Sequence, residues 1–321
     1  MVAISSHAGW SVEVPPLGFG CCPMGGHGWG CVDDDQLIRA VETALDLGVR
    51  LFDTSDIYGL GKSETLLGKA LGSRRHEAVI ATKFGVRHEG GKSFFDTSLG
   101  WMRTAIEGSL RRLGVECIDL YQMHYWDEKT PLEDIVSLLE GFIDAGKIRS
   151  YGVTNLDPRS AAVGGARSRM ASYSYQYSLI ERHRECDLLA IQEAGRSAFL
   201  AWGSLGQGIL SGKYSSLEQL DPGDRRRREV YASFHGERFA AVQSLVAEMR
   251  GVAAEAGISS ISQLALMWII RRIPRAVPLV GIKTPEQIRD VAGVLGVELG
   301  AAHCERLDRL TGAFLTPAKV L

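Results

Sequence analysis

Apolar and polar positions along the chain follow two rhythms. Short apolar runs of strand length occur at about 17–21, 49–53, 78–83, 118–123, 148–153, 173–176, 198–202 and 276–280. Between most of them, apolar positions recur at helical spacing. Leu37, Val41, Ala44 and Leu45 form one such stripe in a helix predicted over 33–47, opened by Asp33, Asp34 and Asp35 at its positive end and closed by Gly48. Comparable helices are predicted at about 63–71, 99–113, 132–145, 157–169, 183–195, 236–257 and 286–295, with Gly72, Gly114 and Gly146 at three of the ends. Eight strands separated by helices predict an α/β fold, a (β/α)8 TIM barrel with its active site at the C-terminal face. A single domain over 1–321 is expected, with a long loop and helical insert at about 210–260 between the seventh and eighth strands.

Length and charge narrow the class. The 321 residues are 45% hydrophobic, and 36 basic against 38 acidic residues give a formal charge of -2. Such a chain can bury one large core and has no general polycation for gripping nucleic acid. Six cysteines, at 21, 22, 31, 117, 186 and 304, form no CxxC pair and follow no secretory apolar segment, so reduced thiols and a cytoplasmic location are expected. No apolar stretch reaches the ~18 residues of a spanning helix, and no membrane partner is expected.

Candidate chemistry sits at the strand ends. Asp53 closes the second apolar run and Tyr58 follows in LFDTSDIYGLGKSETLLGKAL (51–71), while ATKFG (81–85) and LYQMH (120–124) deliver Lys83 and His124. Taken singly, Asp53 suits a helix cap, Lys83 a solvated charge and His124 a structural imidazole. In a barrel, however, neighbouring strand ends share one mouth, and the four side chains together make a proton-transfer site. A phenol flanked by an ammonium, a carboxylate and an imidazole can protonate a carbonyl oxygen as hydride reaches the carbon; the lysine favours phenolate and the imidazole orients the oxygen. Carbonyl reduction, or its reverse, is the chemistry suggested. No metal is expected, because the eight histidines include no HExxH and no pair with a carboxylate at metal-site spacing.

Hydride must come from a cofactor, since no side chain supplies it. GHGWG (26–30) has the wrong spacing for a dinucleotide fingerprint. SLGQGILSGKY (204–214) and VGIKTPEQIRD (280–290) instead follow strands seven and eight, where barrels commonly bind phosphate.

These blocks, with SLRRLGVECIDLYQMH, DAGKIRSYGVTN and WGSLGQGILSGKY, make the chain resemble the aldo-keto reductases, in the branch containing bacterial reductases and potassium-channel beta subunits. The likeness runs from about residue 15 to about 295, with the blocks in family order. It implies Tyr58 as general acid in reduction and base in oxidation, Lys83 as the perturbing ammonium, Asp53 as the carboxylate holding Lys83, and His124 as the group orienting the carbonyl. It further implies that Thr154, Asn155 and Gln176 hold the nicotinamide amide and that Trp202 stacks on the ring. Leu205, Gly206 and Gln207 resemble the pyrophosphate loop, with Lys213 close by. Lys283 and Thr284 match positions that contact the adenosine 2'-phosphate, which implies NADPH/NADP+ as cofactor, and Gln287 matches a further adenosine-side position. Gly203 and Ser204 stand where the family often has Ser and Pro, and Asp290 and Val291 replace a usual Glu-Asn pair.

The substrate expected is a small-molecule carbonyl: an aldehyde or ketone, including sugar aldehydes, keto-sugars and secondary-metabolite carbonyls. Trp29, Tyr125 and Trp126 are the preferred wall candidates, with His27, His88 and Phe94 behind them. The alternatives are an NADP(H)-binding regulatory or scaffold subunit with little turnover, or an alcohol or sugar dehydrogenase working oxidatively. DRRRREVY (224–231) suits a solvated loop or a cofactor-covering segment better than a nucleic-acid track. Ile261, Leu264, Leu266, Met267, Trp268, Ile269 and Ile270 suit core packing better than an interface; monomer and homo-oligomer both remain open.

Overall fold

The computed structural model describes residues 1–6, 9–157, 169–195 and 197–316. An antiparallel hairpin, β1 (Val2–Ser5) and β2 (Ser11–Val14), comes first. There follow β3 (Gly18–Gly20), α1 (Asp34–Asp46), β4 (Leu51–Asp53), α2 (Lys62–Leu71) and β5 (Val79–Phe84). A second hairpin, β6 (Val86–Glu89) and β7 (Lys92–Phe95), precedes α3 (Leu99–Leu113), β8 (Ile118–Met123), α4 (Leu132–Asp144), β9 (Ile148–Thr154) and β10 (Met170–Gln176). The chain continues through α5 (Glu185–Ala194), β11 (Ala198–Trp202), α6 (Gly236–Glu255), α7 (Ile261–Arg272), β12 (Ala276–Gly281), α8 (Pro285–Ala292) and α9 (Ala301–Leu310).

Eight parallel strands close into a barrel in the order β10, β11, β12, β3, β4, β5, β8, β9. Every strand expected from the apolar runs is present, so the (β/α)8 architecture holds. The helix expected at 157–169 falls largely on 158–168, outside the described residues. Both hairpins and α9 go beyond the pattern-based elements. Between β11 and β12 stand short 3-10 turns, α6 and then α7. The apolar positions of α7 from Ile261 to Ile269 are buried, which settles that stripe as core. No helix among the described residues is long and apolar enough to cross a membrane.

Strand periodicity decides what faces the barrel axis. Successive side chains point to opposite faces. Phe52, Ile80, Phe84, Tyr121 and Phe199 point outward and pack under the helices, whereas Leu51, Val79, Ala81, Leu120, Ala198, Leu200, Val277 and Leu279 form a separate cluster inside. Ile4 and Val14 from the first hairpin join that inner cluster and close the barrel floor. The same parity, carried upward, points Asp53, Lys83, Gln122, Thr154, Gln176 and Trp202 into the mouth. Register agrees: Gly20 pairs with Asp53, Asp53 with Ala81, and Lys83 with Gln122.

Helix ends are fixed locally. Asp33, Ser98, Ser260 and Thr284 accept hydrogen bonds from Gln36, Trp101, Gln263 and Gln287 amides at the starts of α1, α3, α7 and α8. Glu64 of α2 is fully buried, takes the Thr82 hydroxyl at 2.6 Å and pairs with Arg112 of α3 at 2.7 Å, tying both helices to β5.

Candidate active site

Tyr58 is positioned by a tight turn between β4 and α2. Its amide donates to Ser55 O at 3.2 Å, and its own carbonyl accepts from Ser63 N at 3.2 Å. Ser63 Oγ in turn lies 2.8 Å from Thr54 Oγ1 and donates to Cys21 O at 2.9 Å. Gly25 lies against this turn so closely that a Cβ there would stand 2.7 Å from Gly59 N, leaving no room for a side chain. The loops after β3 and β4 therefore hold each other.

The Lys83 ammonium spends its three hydrogens on three oxygens. It donates to Asp53 Oδ1 at 2.5 Å, to Thr54 O at 2.7 Å and to the Tyr58 hydroxyl at 3.5 Å. Asp53 Oδ2 accepts from Gln122 Nε2 at 3.0 Å, so both carboxylate oxygens are occupied. The phenol receives a hydrogen bond and keeps its own hydrogen free for the cavity. Burial pushes the Tyr58 phenol well above its usual range, with Cys22 and Asp53 adding to the rise. The expectation that Lys83 would favour phenolate is thus outweighed: the charge of Lys83 is matched by Asp53, and the phenol stays protonated at neutral pH.

His124 stands edge-on to Tyr58, ring centres 5.9 Å apart at 86°. Burial, and then Lys83, hold its imidazole well below the usual range, so it is neutral. Its Nδ1 lies 3.3 Å from Ser55 Oγ. Tyr125 stacks on His124 at 5.0 Å, and Phe95 stacks on Tyr125 at 4.7 Å, giving a column of rings from the imidazole to the rim.

All four tetrad side chains line one cavity of about 1120 Å³. That exceeds the ~300–1,000 Å³ common for a single drug-sized ligand. Thr154, Asn155, Gln176, Trp202, Leu205, Gln207, Lys213, Lys283 and Gln287 line it too, as do Trp29, Tyr125 and His27. Thr154 Oγ1 is buried without a partner among the described residues, Trp202 Nε1 donates to Asn155 Oδ1 at 3.1 Å, and Asn155 Nδ2 donates to His124 O at 3.3 Å. Gln207 and Gly208 adopt left-handed backbone, with φ of 55° and 97°, in the turn beside the cavity. Lys283, Lys213 and Arg226 gather at one end; burial lowers the Lys283 pKa, Tyr214 opposes, and the two neighbouring cations add to the lowering. An orphaned hydroxyl and clustered cations lining the same cavity as the tetrad fit a large anionic ligand.

Five expected positions stand elsewhere. Gly206 lies beneath the loop, where Ile180 fills the space a side chain would need. The Thr284 hydroxyl is used in capping α8. Trp126 turns away and donates to Thr130 O at 2.8 Å, packing against the core. His88 lies 3.1 Å from Ser93 Oγ on the exposed second hairpin, and Phe94 packs on Arg87. Phe95, the next residue and hence on the opposite strand face, lines the cavity instead. The arginine run, expected as a solvated loop or a cofactor-covering segment, is divided: Arg225 and Arg226 line the cavity, whereas Arg227 and Arg228 are exposed. Arg226 is buried, pairs with Asp224 at 2.6 Å, and donates to Gln207 O and Tyr214 Oη.

Sequence reasoning passed over Gln122, Cys22, Ser55 and Phe95. Gln122 was readable, since it lies two residues before His124 on the same strand face. Cys22 accepts from the Trp29 indole at 3.2 Å, a contact with no sequence signal. No group of three or more His, Cys, Asp or Glu that could hold a metal occurs among the described residues.

Comparison with known proteins agrees with this geometry. The chain is 32% identical over 303 residues to the aldo-keto reductase yakc [NADP(+)] of Schizosaccharomyces pombe, covering 92% of this chain and 87% of that protein. It is 29% identical to aldo-keto reductase YhdN of Bacillus subtilis, covering 92% and 90%. Among solved structures, a glycerol dehydrogenase from Gluconobacter oxydans superposes with a TM-score of 0.86 at 31% identity, over 96% of this chain and 95% of that one. An aldo-keto reductase from Klebsiella pneumoniae in complex with NADPH gives 0.73 at 25% identity, over 100% and 98%. These matches support the family as a whole and do not single out the potassium-channel beta-subunit branch. The profile of the Aldo/keto reductase family matches residues 16–311; with the barrel and its strand-end quartet, this chain belongs to that family.

Proposed function

We propose that this chain reduces an aldehyde or ketone to the alcohol with NADPH, Tyr58 delivering the proton. The observation that carries the reading is the Lys83 ammonium, whose third hydrogen bond falls on the Tyr58 hydroxyl while the phenol stays protonated. NADPH supplies hydride to the carbonyl carbon when bound. As the phenol gives its proton to the carbonyl oxygen, the growing phenolate charge meets a donor already in place, and Asp53 with Gln122 keeps that donor aimed. His124, neutral and edge-on to Tyr58, orients the substrate oxygen. Asn155, Gln176 and the orphaned Thr154 hydroxyl suit the carboxamide, Trp202 the nicotinamide face, and Leu205 and Gln207 the pyrophosphate. Lys283, with Lys213, suits a 2'-phosphate and favours NADPH over NADH.

The cavity lining also includes the apolar and aromatic side chains of Ile57, Val86, Phe95, Tyr125, Trp29 and Tyr231. These walls suit a carbonyl carrying an apolar or planar portion, including a secondary-metabolite ketone or the C–H face of a sugar. A second reading runs the step oxidatively, favoured by the likeness to the Gluconobacter oxydans glycerol dehydrogenase. Purified wild type and Tyr58→Phe, followed by loss of reduced nicotinamide absorbance over a panel of aldehydes, ketones and keto-sugars, test the proposal. We expect the variant to lose about 10²–10⁴-fold in rate with NADPH binding intact. Equal turnover by both would refute Tyr58 as donor, and tight binding without turnover by wild type would favour a regulatory subunit.

A further inference from the structure

Ser55 stands between the imidazole of His124 and the carboxyl of Asp56. Its Oγ lies 3.3 Å from His124 Nδ1 and donates to Asp56 Oδ1 at 3.1 Å, while Ile57 N–H approaches the same oxygen at 3.4 Å. A hydroxyl has one hydrogen and two lone pairs. With Asp56 ionised, that hydrogen goes to the carboxylate, both lone pairs accept, and the contact to Nδ1 requires a hydrogen on Nδ1. Nε2 is then left with a lone pair. With Asp56 protonated, the carboxyl donates to Ser55, the Ile57 amide takes the other lone pair, and the hydroxyl hydrogen turns to Nδ1. Nε2 then carries the hydrogen.

We propose that Ser55 and Asp56 act as a tautomer relay, deciding whether His124 presents a donor or an acceptor to the substrate oxygen. A donor at Nε2 suits a carbonyl, which only accepts; an acceptor suits an alcohol, which has a hydrogen to give. Proton uptake at Asp56 therefore favours binding of the carbonyl, and proton loss favours binding of the alcohol. Ser55 and Asp56 are positioning residues and line no part of the cavity. The functional half of the inference rests on His124 orienting the substrate oxygen.

The surroundings place the switch in the neutral range. Burial, and then Glu64 on α2, push the Asp56 carboxyl up to about 7, against the Ser55 hydrogen bond, Arg112 on α3 and the Ile57 amide. Tyr121 on β8 faces Asp56 with a buried hydroxyl that has no partner among the described residues. His124 faces Lys83, Tyr58 and Tyr125, and burial with Lys83 keeps it neutral. Its tautomer can therefore change without the ring gaining charge.

The test needs no cofactor or substrate. Long-range proton–nitrogen NMR of histidine-labelled protein reports which ring nitrogen carries hydrogen, with His124 assigned by its absence in His124→Asn. Wild type should pass from the Nε2–H form at low pH to the Nδ1–H form at high pH, with a midpoint near 7. Asp56→Asn should abolish that passage, and Ser55→Ala, an independent break, should uncouple it. A wild-type tautomer that does not change between about pH 5.5 and pH 8.5, or a change that survives in Asp56→Asn, overturns the relay. Affinity of the cofactor-bound enzyme for a carbonyl should rise, and for an alcohol fall, as pH drops through about 7, and both variants should lose that dependence. If the tautomer passes as described while no carbonyl or alcohol is turned over, the relay stands and the proposed activity falls.

Discussion

Asp53 and Lys83 are buried charges that make sense only together. Removing the ammonium in Lys83→Met leaves the Asp53 carboxylate with only the Gln122 amide, and breaking such a pair costs about 3–5 kcal/mol. Urea unfolding of the variant should show that loss, and its reductase rate should fall with that of Tyr58→Phe. The candidate site residues were legible because a barrel strand exposes every second side chain inward, so polar groups ending apolar runs stand out as Asp53, Lys83 and His124 do. The state of the phenol was not legible. A sequence shows that a lysine is near a tyrosine, but not that a carboxylate has already matched the lysine's charge or that the ring is buried.

The long apolar runs announced their elements; both hairpins and α9, with one or two buried positions each, did not. The barrel strands were legible as apolar runs, and α7 as a core helix. The hairpin β6–β7 was missed because its second strand, Lys92–Phe95, is exposed along its whole length and carries no alternation. Gly90 and Gly91, both left-handed at φ 58° and 78°, were the available signal. The start of α8 separates two roles that one motif had joined. Thr284→Ala should cost about 1 kcal/mol of stability through its lost cap, without changing the affinity for NADPH. Lys283→Ala should weaken NADPH binding more than NADH binding, and titration of both dinucleotides against both variants checks the separation.

At the scale of the molecule, one end of the barrel is structural and the other chemical. Ile4, fully buried in the floor among Leu51, Leu120 and Leu200, should tolerate truncation poorly: Ile4→Ala should cost about 2–5 kcal/mol in thermal or urea unfolding. Because the tetrad lies at the opposite end, KM and kcat of the folded fraction should stay at wild-type values. The mouth has its own signature. Of six tryptophans, Trp29 and Trp202 line the cavity, whereas Trp268 is sealed in the core between Tyr177 and Arg182. Two indoles thus share their space with any ligand, and a third is shielded from it. The emission of that half-buried pair should change when a guest enters the mouth, whereas Trp268, stacked 5.5 Å from Tyr177, should respond only to loss of the fold around it.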